Sequence, residues 1–263
     1  MELGLKGRAA AVAAASRGLG RATARALAAE GCGVAVCGRD AERIREAAAA
    51  IAGETGARTV PIAADVGVAA DCRRFVEEAA VAFGRLDVLV TNTGGPRPGG
   101  FDAVTTEDWD AAFRVTLESV AHLVRAAVPH MKRRSWGRIV NITSISAKQP
   151  VDGLVLSNAF RPAIVGLAKT LASELGPHGI LVNNVCPGYT RTERLAELAD
   201  VRARAAGTTP EEFLAALARD IPLGRIAEPD ELASVVAFLC SERASYVTGG
   251  TLAVDGGAVK GLL

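Results

Sequence analysis

The chain has 263 residues, and its 30 Lys and Arg residues nearly balance 29 Asp and Glu residues, which leaves a formal net charge of +1. A length of this order fits one large α/β domain or two small ones. The near-zero charge provides no large electrostatic field, so we expect neither nucleic acid nor a membrane as a partner.

Short apolar runs alternate with helical patterns along the chain. The runs of buried-strand length are residues 9–15, 33–37, 58–63, 86–91, 138–143 and 181–186. The helical patterns between them are residues 19–30, 40–52, 69–83, 106–132 and 159–176. Because this alternation is typical of a parallel sheet covered on both faces, we predict a single doubly wound α/β domain of Rossmann type over residues 1–263. Its ligand cleft should lie beyond the carboxyl ends of the strands.

A glycine-containing turn, Ser16-Arg17-Gly18-Leu19-Gly20, follows the first predicted strand and opens a helix. Gly18 and Gly20 allow a pyrophosphate to approach backbone N–H groups at the positive end of the helix dipole. Two spaced glycines alone are a weak signal, and an ordinary tight strand–helix turn is the alternative. The position after the first strand of an α/β chain favours the dinucleotide interpretation.

The end of the second predicted strand bears on the choice of cofactor. Sites for NAD usually have an acid there to bind the ribose 2′-hydroxyl. This chain has Arg39 instead, with no carboxylate until Asp40. Arg39, helped by Arg17, would favour a 2′-phosphate through charge-assisted hydrogen bonds, unless both are ordinary solvated arginines. We therefore expect NADP(H) rather than NAD(H).

An ordered set of motifs makes the chain resemble the short-chain dehydrogenase/reductase family, close to its 3-oxoacyl-carrier-protein reductase branch, over essentially its whole length. Besides the glycine turn, the matching pieces are Asp65-Val66, Thr91-Asn92-Thr93-Gly94, Asn141-Ile142-Thr143-Ser144, the Pro187-Gly188 pair, Ile221-Pro222-Leu223-Gly224-Arg225 and the segment from Tyr246 to Gly257.

The resemblance implies an NADP-dependent oxidoreductase acting on a small carbonyl or alcohol substrate. It also implies a homo-oligomer, either a dimer or a tetramer, with Tyr246 in a subunit contact. The residues it carries over as cofactor contacts are Ser16, Arg17, Gly18, Leu19, Gly20, Arg39, Asp65, Val66, Asn92, Gly94, Arg161, Pro187, Gly188 and Thr192.

The catalytic residues of the family are only partly present. The family uses an Asn, a Ser and a Tyr-x-x-x-Lys pair, and Ser144 matches the serine. The tyrosine and lysine positions correspond to Ser157 and Arg161, and Thr116 stands where the family has its Asn. Ala14 also replaces the first glycine of the glycine turn.

These departures change the expected proton transfer. A serine hydroxyl is a far weaker acid than a phenol, whose ordinary pKa is about 10. Losing a general acid typically slows a reaction by about 10²–10⁴-fold. Arg161 keeps a positive charge that could hold the nicotinamide ribose, but it will not cycle a proton. Tyr189 and Lys148 are candidate substitutes, although a loop aromatic and a solvated lysine are the simpler interpretations.

Two further expectations concern local structure. Because proline is tolerated in the first turn of a helix, Pro162 predicts that its helix begins near Ser157 or Asn158. Residues 190–225 are long for a connection and contain their own helix, so they are a candidate substrate lid.

Other site classes are not supported. The five cysteines are scattered, odd in number and form no CxxC pair, which indicates reduced thiols, no zinc site and a cytoplasmic location. The three histidines lack metal-ligand spacing, so no metal is expected, and no apolar run reaches 18 residues.

Two alternatives stay open beside the oxidoreductase. The replaced catalytic positions fit a catalytically impaired or non-catalytic, regulatory NADP-binding protein. The replacement of the first glycine by Ala14 would fit a protein that keeps the fold but no longer binds the cofactor.

Overall fold

The structure is a computed structural model that describes residues 2–262, position 205 by its backbone only. A seven-stranded sheet with all neighbours parallel runs through its centre. The strands are β1 (Ala9–Val12), β2 (Gly33–Gly38), β3 (Thr59–Ala63), β4 (Val88–Thr91), β5 (Gly137–Ile142), β6 (Ile180–Pro187) and β7 (Thr251–Val254). Their order is β3-β2-β1-β4-β5-β6-β7, so the strand order reverses between β1 and β4.

Helices cover both faces of the sheet. Within residues 2–262 they are α1 (Gly18–Ala29), α2 (Ala41–Thr55), α3 (Ala69–Phe83), α4 (Thr106–Phe113), α5 (Ser119–Lys132), α6 (Val155–Leu175), α7 (Glu193–Ala206), α8 (Pro210–Arg219) and α9 (Pro229–Leu239). None of these helices is long and apolar enough to cross a membrane.

Alternate residues of the central strands pack into two separate hydrophobic cores, one on each face of the sheet. Ala11 and Leu89 pack with α3, α5 and α6 on one face, whereas Val12 and Val90 pack with α1, α2 and α9 on the other. Successive side chains of a strand point to opposite faces, which explains why these strands are apolar at every position. The predicted doubly wound α/β fold of Rossmann type is confirmed, and each of the six predicted apolar runs contains most or all of a strand.

Three elements were not predicted from the sequence: β7, α9 and one of the two helices, α7 and α8, in residues 190–225, where a single helix was expected. The strand β7 is only four residues long and half-buried at the edge of the sheet, so its apolar run is weak. The helix α9 begins at Pro229 after Glu228, whose backbone N–H donates to the Glu231 carboxylate at 2.8 Å. A proline at the first helical position with acids in the first turn also opens α8, after the N-cap Thr209, and this pattern could have identified α9.

The helix α6 begins at Val155, close to the predicted start near Ser157 or Asn158. The reason given for that start is wrong, because Pro162 is an interior residue rather than part of the first turn. The Asn158 side chain bonds both backbone groups of Val151, at 3.0 Å each, and Val155 N–H donates to Gly99 O at 3.2 Å. An interior proline destabilises a helix by roughly 3 kcal/mol. These hydrogen bonds to the neighbouring loops favour a start at Val155 in spite of that cost.

The predicted helix 106–132 is interrupted. A π-helical segment, Arg114–Glu118, separates α4 from α5. Thr116 lies in this segment, fully buried, and its Oγ1 has no hydrogen-bond partner. Isolated π-helical turns occur frequently beside functional sites.

Candidate active site

A cleft of about 620 Å³ lies beyond the carboxyl ends of β1, β2, β4, β5 and β6. The predicted site residues that line it are Ser16, Arg17, Gly18, Leu19, Arg39, Asp65, Val66, Asn92, Gly94, Ser144, Ser157, Arg161, Pro187, Gly188, Tyr189 and Thr192. Gly20 and Lys148 are the two that do not. A second depression of about 540 Å³, beside the amino end of β4, contains none of the predicted residues.

The glycine turn leaves the start of α1 open to the cleft. Arg17 is the N-cap residue, in extended conformation, and no side chain caps the first backbone N–H groups. Gly20 supports this turn from behind, because a side chain there would collide with the Ala14 carbonyl oxygen and come within 2.8 Å of Asn92 Nδ2. The Asn92 amide donates to the Ala14 carbonyl oxygen at 3.1 Å, which ties the turn to the end of β4.

Ala14 adopts a backbone conformation that favours glycine. Its φ is +47°, in the left-handed region. An L-residue there is strained by roughly 1–2 kcal/mol. The chain therefore keeps the backbone path of the glycine turn although the first glycine is replaced.

The two arginines expected to bind a 2′-phosphate differ in their surroundings. Arg17 Nη1 is paired with Glu197 Oε1 of α7 at 2.9 Å. Arg39 is exposed and has no ion pair or hydrogen-bond partner within residues 2–262. Two backbone N–H groups donate to the Asp40 carboxylate, that of Arg43 having the larger effect, and they lower its pKa. Asp40 is thus occupied in capping α2, and Arg39 is the free charge at the end of β2.

Asp65 has a local structural role. Its carboxylate accepts the Gly67 N–H at 2.9 Å, and its own N–H donates to Asp71 Oδ2 at 2.8 Å. These bonds shape the turn between β3 and α3, where Asp65 and Val66 face the cleft.

Ser144 and Ser146 follow β5, and Ser157 of α6 lies beside them. The Ser144 hydroxyl accepts the Ser146 N–H at 3.1 Å, and the hydroxyls of Ser146 and Ser157 lie 2.9 Å apart. Ser146 was not predicted from the sequence. Its position two residues after Ser144, at the start of a 3₁₀ turn, is the signal that could have identified it.

The Arg161 guanidinium is buried at the same end of the cleft. Its Nη1 donates to the Ile142 carbonyl oxygen at 3.0 Å, whereas its Nε is buried without any partner. No carboxylate within residues 2–262 forms an ion pair with it. Burial lowers the pKa of Arg161 to about 10, so the side chain still carries its charge at neutral pH.

The two candidate substitutes for the missing phenol are placed differently. Tyr189 lines the cleft and is half-buried, and burial raises the pKa of its phenol. The charges that influence it are those of Arg202, Asp220 and Asp152, which lie toward α7 and α8 rather than among the serines. Lys148 lies outside the cleft, because the Ile145–Ala147 3₁₀ turn carries the chain away from Ser144. The simpler interpretation of Lys148, an ordinary lysine, fits the structure better.

Residues 190–225 form α7 and α8, and α7 contacts both walls of the cleft. Glu197 pairs with Arg17 on one wall, as described above. On the other wall, Arg194 Nη2 donates to the Pro96 carbonyl oxygen and Arg202 Nη2 to the Asp152 carbonyl oxygen, each at 3.4 Å. Arg194 lines the cleft but carries no sequence signal that separates it from the other arginines of this helix.

The residues present fit a dinucleotide. The uncapped N-terminus of α1 offers N–H groups to a pyrophosphate, and the free Arg39 offers a cation at the end of β2. No group of three or more His, Cys, Asp or Glu side chains in the described part of the chain could hold a metal ion.

Comparisons with known proteins agree with this architecture. A family model described as enoyl-(acyl carrier protein) reductase matches residues 13–259. A 3-oxoacyl-[acyl-carrier-protein] reductase of Aquifex aeolicus is 34% identical over 257 residues, which cover 98% of this chain and 99% of the relative. The human dehydrogenase/reductase SDR family member 4 is 35% identical over 254 residues, 96% of this chain and 88% of the relative. The crystal structure of L-sorbose reductase from Gluconobacter frateurii, complexed with NADPH and L-sorbose, superposes with a TM-score of 0.95 at 32% identity, covering 100% of both chains.

Proposed function

Since the chain belongs to the short-chain dehydrogenase/reductase family, we propose that it is an NADP(H)-dependent oxidoreductase that interconverts a small carbonyl compound and its alcohol, in the manner of 3-oxoacyl reductases. One observation carries the proposal. The uncapped start of α1, the free Arg39 and the Ser144 hydroxyl all line a single cleft. NADPH-dependent reductases of similar fold add support.

Each element of the cleft has a distinct task in this proposal. The N–H groups at the start of α1 hold the pyrophosphate, and Arg39 binds the 2′-phosphate. The bound cofactor supplies or accepts the hydride. Ser144 donates a hydrogen bond to the substrate oxygen, and Arg161 supplies a positive charge nearby.

Proton transfer is altered relative to the usual family mechanism. Ser157 and Arg161 stand on α6 where the family pair would be, and neither titrates near neutral pH. Ser157 lines the cleft, and its hydroxyl lies 2.9 Å from that of the buried Ser146, so we propose that Ser157 passes a proton from water in the cleft to the substrate oxygen. We expect turnover to be slower than in a relative with the phenol, by about 10²–10⁴-fold.

Two further features complete the proposal. Residues 190–225 act as a lid over the substrate end of the cleft, since α7 contacts both walls. The chain assembles as a homodimer or homotetramer, because Tyr246 and the edge strand β7 expose apolar surface in the single chain. Size-exclusion chromatography with light scattering tests the assembly.

The test of activity is NADPH oxidation over a panel of ketones, 3-oxoacyl thioesters and sugars. Ser144→Ala should abolish the signal because it removes the hydrogen-bond donor to the substrate oxygen. Ser173→Ala, on the exposed face of α6, is the matched control and should keep it. Absence of turnover across the panel contradicts the enzymatic proposal.

A second candidate is a non-catalytic NADP-binding protein, which the replacement of phenol and lysine by Ser157 and Arg161 favours. Tight NADPH binding without turnover identifies it. Ser157→Tyr combined with Arg161→Lys should then create activity. If saturating NADPH fails to raise the melting temperature, the cofactor site itself is lost, because a ligand at 100-fold its Kd should add about 2.7 kcal/mol of stability.

A further inference from the structure

Arg17 and Arg39 leave the backbone from two segments that pack against each other. The glycine turn lies so close to the end of β2 that a Cβ at Gly38 would be 3.4 Å from the Ser16 Cβ. Each arginine is the next residue after one of these two, and both arginines line the cleft. The structure therefore brings two cations to the place where the sequence predicts binding of a 2′-phosphate.

An acid from α7 neutralises one of these two cations. Glu197 Oε1 lies 2.9 Å from Arg17 Nη1, and both side chains are half-exposed. The same carboxylate has a second, longer contact, since its Oε2 lies 3.8 Å from Arg194 Nη1. Arg39 has no such partner within residues 2–262. The positive charge available to a 2′-phosphate is thus smaller than the sequence alone predicts.

The Arg17–Glu197 pair can be exchanged for a pair between Arg17 and a phosphate. An ion pair between exposed side chains is weak, because water solvates both charges well. A phosphate monoester carries about −1.5 to −2 charges at pH 7 and has three acceptor oxygens, so it is a stronger partner for a guanidinium than a carboxylate is. Glu197 would keep its contact with Arg194 when Arg17 leaves. NAD(H) lacks the 2′-phosphate, so its binding leaves the Arg17–Glu197 pair intact.

We propose that Glu197 is a specificity-determining residue for the cofactor, because it competes with the 2′-phosphate for Arg17. Binding of NADP(H) must first break the Arg17–Glu197 pair, whereas binding of NAD(H) need not. Glu197 therefore reduces the preference for NADP(H) that two free arginines would give. This inference rests on the proposed NADP(H) site and adds to it a residue of the lid helix α7.

The ratio of two dissociation constants measures the effect. Calorimetry gives the Kd values of NADPH and NADH for the full-length protein and its variants at one fixed ionic strength. Glu197→Gln removes the charge and keeps the approximate size, so it releases Arg17 for the phosphate. We expect the preference for NADPH over NADH to rise about threefold to fivefold, the range that an exposed ion pair provides. Arg17→Met should lower the preference, because it removes the cation itself.

A double variant and a matched control identify the contact responsible. In the Arg17→Met background, Glu197→Gln should leave the NADPH preference unchanged, because the cation for which Glu197 competes is absent. Glu78→Gln removes the charge from a similarly exposed pair with Arg74, 3.2 Å apart on α3 and outside the cleft. This control changes the net charge by the same amount and should not alter the preference.

An unchanged ratio in Glu197→Gln overturns the proposal while NADPH still binds. A rise that persists in the Arg17→Met background also overturns it, because Glu197 would then act through its general field and not through Arg17. The proposed function fails separately, when NADPH binds without turnover of any substrate, and the binding ratios test the role of Glu197 in that case too. If neither cofactor binds the wild-type protein, both proposals fall.

Discussion

Asp87 is a buried carboxylate that accepts three hydrogen bonds, and replacing it should be costly. Its side chain is fully buried just before β4. One oxygen accepts from Arg85 Nε at 2.6 Å and from the Ala9 N–H at 2.8 Å, and the other accepts from Arg85 Nη2 at 2.8 Å. Arg8 Nη1 lies 3.7 Å away as a second cation. Asp87→Asn keeps the size but removes the charge and turns one acceptor into a donor.

The magnitude follows from this geometry. Breaking a buried ion pair by removing one partner typically costs about 3–5 kcal/mol, because it leaves the other charge uncompensated. Arg85 is partly exposed and regains some hydration, so we expect a loss at the lower limit, about 3 kcal/mol. An unfolding entropy of about 2.1 cal/mol/K per residue gives about 0.55 kcal/mol per degree for 263 residues, so the melting temperature should fall by about 5 °C.

Urea denaturation and differential scanning calorimetry measure the loss. Glu78→Gln is the control, since it removes an exposed pair with Arg74, 3.2 Å apart, that should contribute less than about 1 kcal/mol. A change for Asp87→Asn as small as that of the control refutes the reasoning.

Three further predictions concern the cofactor, the glycine turn and pH. Arg39→Glu should weaken NADPH binding strongly and NADH binding little, by calorimetry, because it repels the 2′-phosphate. Ala14→Gly should raise the unfolding free energy by up to about 1 kcal/mol in urea denaturation, because it relieves the strain of a φ of +47°. Hydrogen bonds from Arg225 and the Glu228 N–H lower the pKa of Glu231 to about 2, from an ordinary 4.5. Its stabilisation is therefore present above pH 4.5 and lost toward pH 2, so Glu231→Gln should lower the melting temperature at pH 7 and not at pH 2.

The two replaced positions lie one helical turn apart on α6, and both line the cleft. Ser157 is a poor acid, and Arg161 does not cycle a proton, so the site looks impaired when it is judged against the usual family mechanism. Arg161 nevertheless keeps a positive charge there.

Much of the fold was predictable because its signals are local. The runs at 9–15 and 33–37 are apolar at every position, as strands buried on both faces must be. The tight turn at the start of α1 was predictable for a related reason, since Gly18 and Gly20 stand at fixed offsets from the end of a strand. The edge strand β7 was missed because a half-buried strand of four residues has little pattern.

The part of the cleft around Ser144 and Ser157 was less predictable, because its groups meet through tertiary contacts. The start of α6 depends on bonds between Asn158 and Val151 that no helix rule contains. The proximity of Ser146 to Ser157 joins two segments 11 residues apart across a loop. Lys148 was placed in the site by sequence distance from Ser144, yet the 3₁₀ turn carries it outside the cleft.

The sequence by itself determined the parallel α/β architecture, the glycine turn and the chemical identity of Ser157 and Arg161, because periodicity, turn residues and side-chain chemistry are properties of short segments. Only the tertiary structure decided that Arg17 is held by Glu197 while Arg39 is free, and that Arg161 is buried without a counter-charge. The pairing of charges depends on which distant segments pack together, and burial depends on all of them at once.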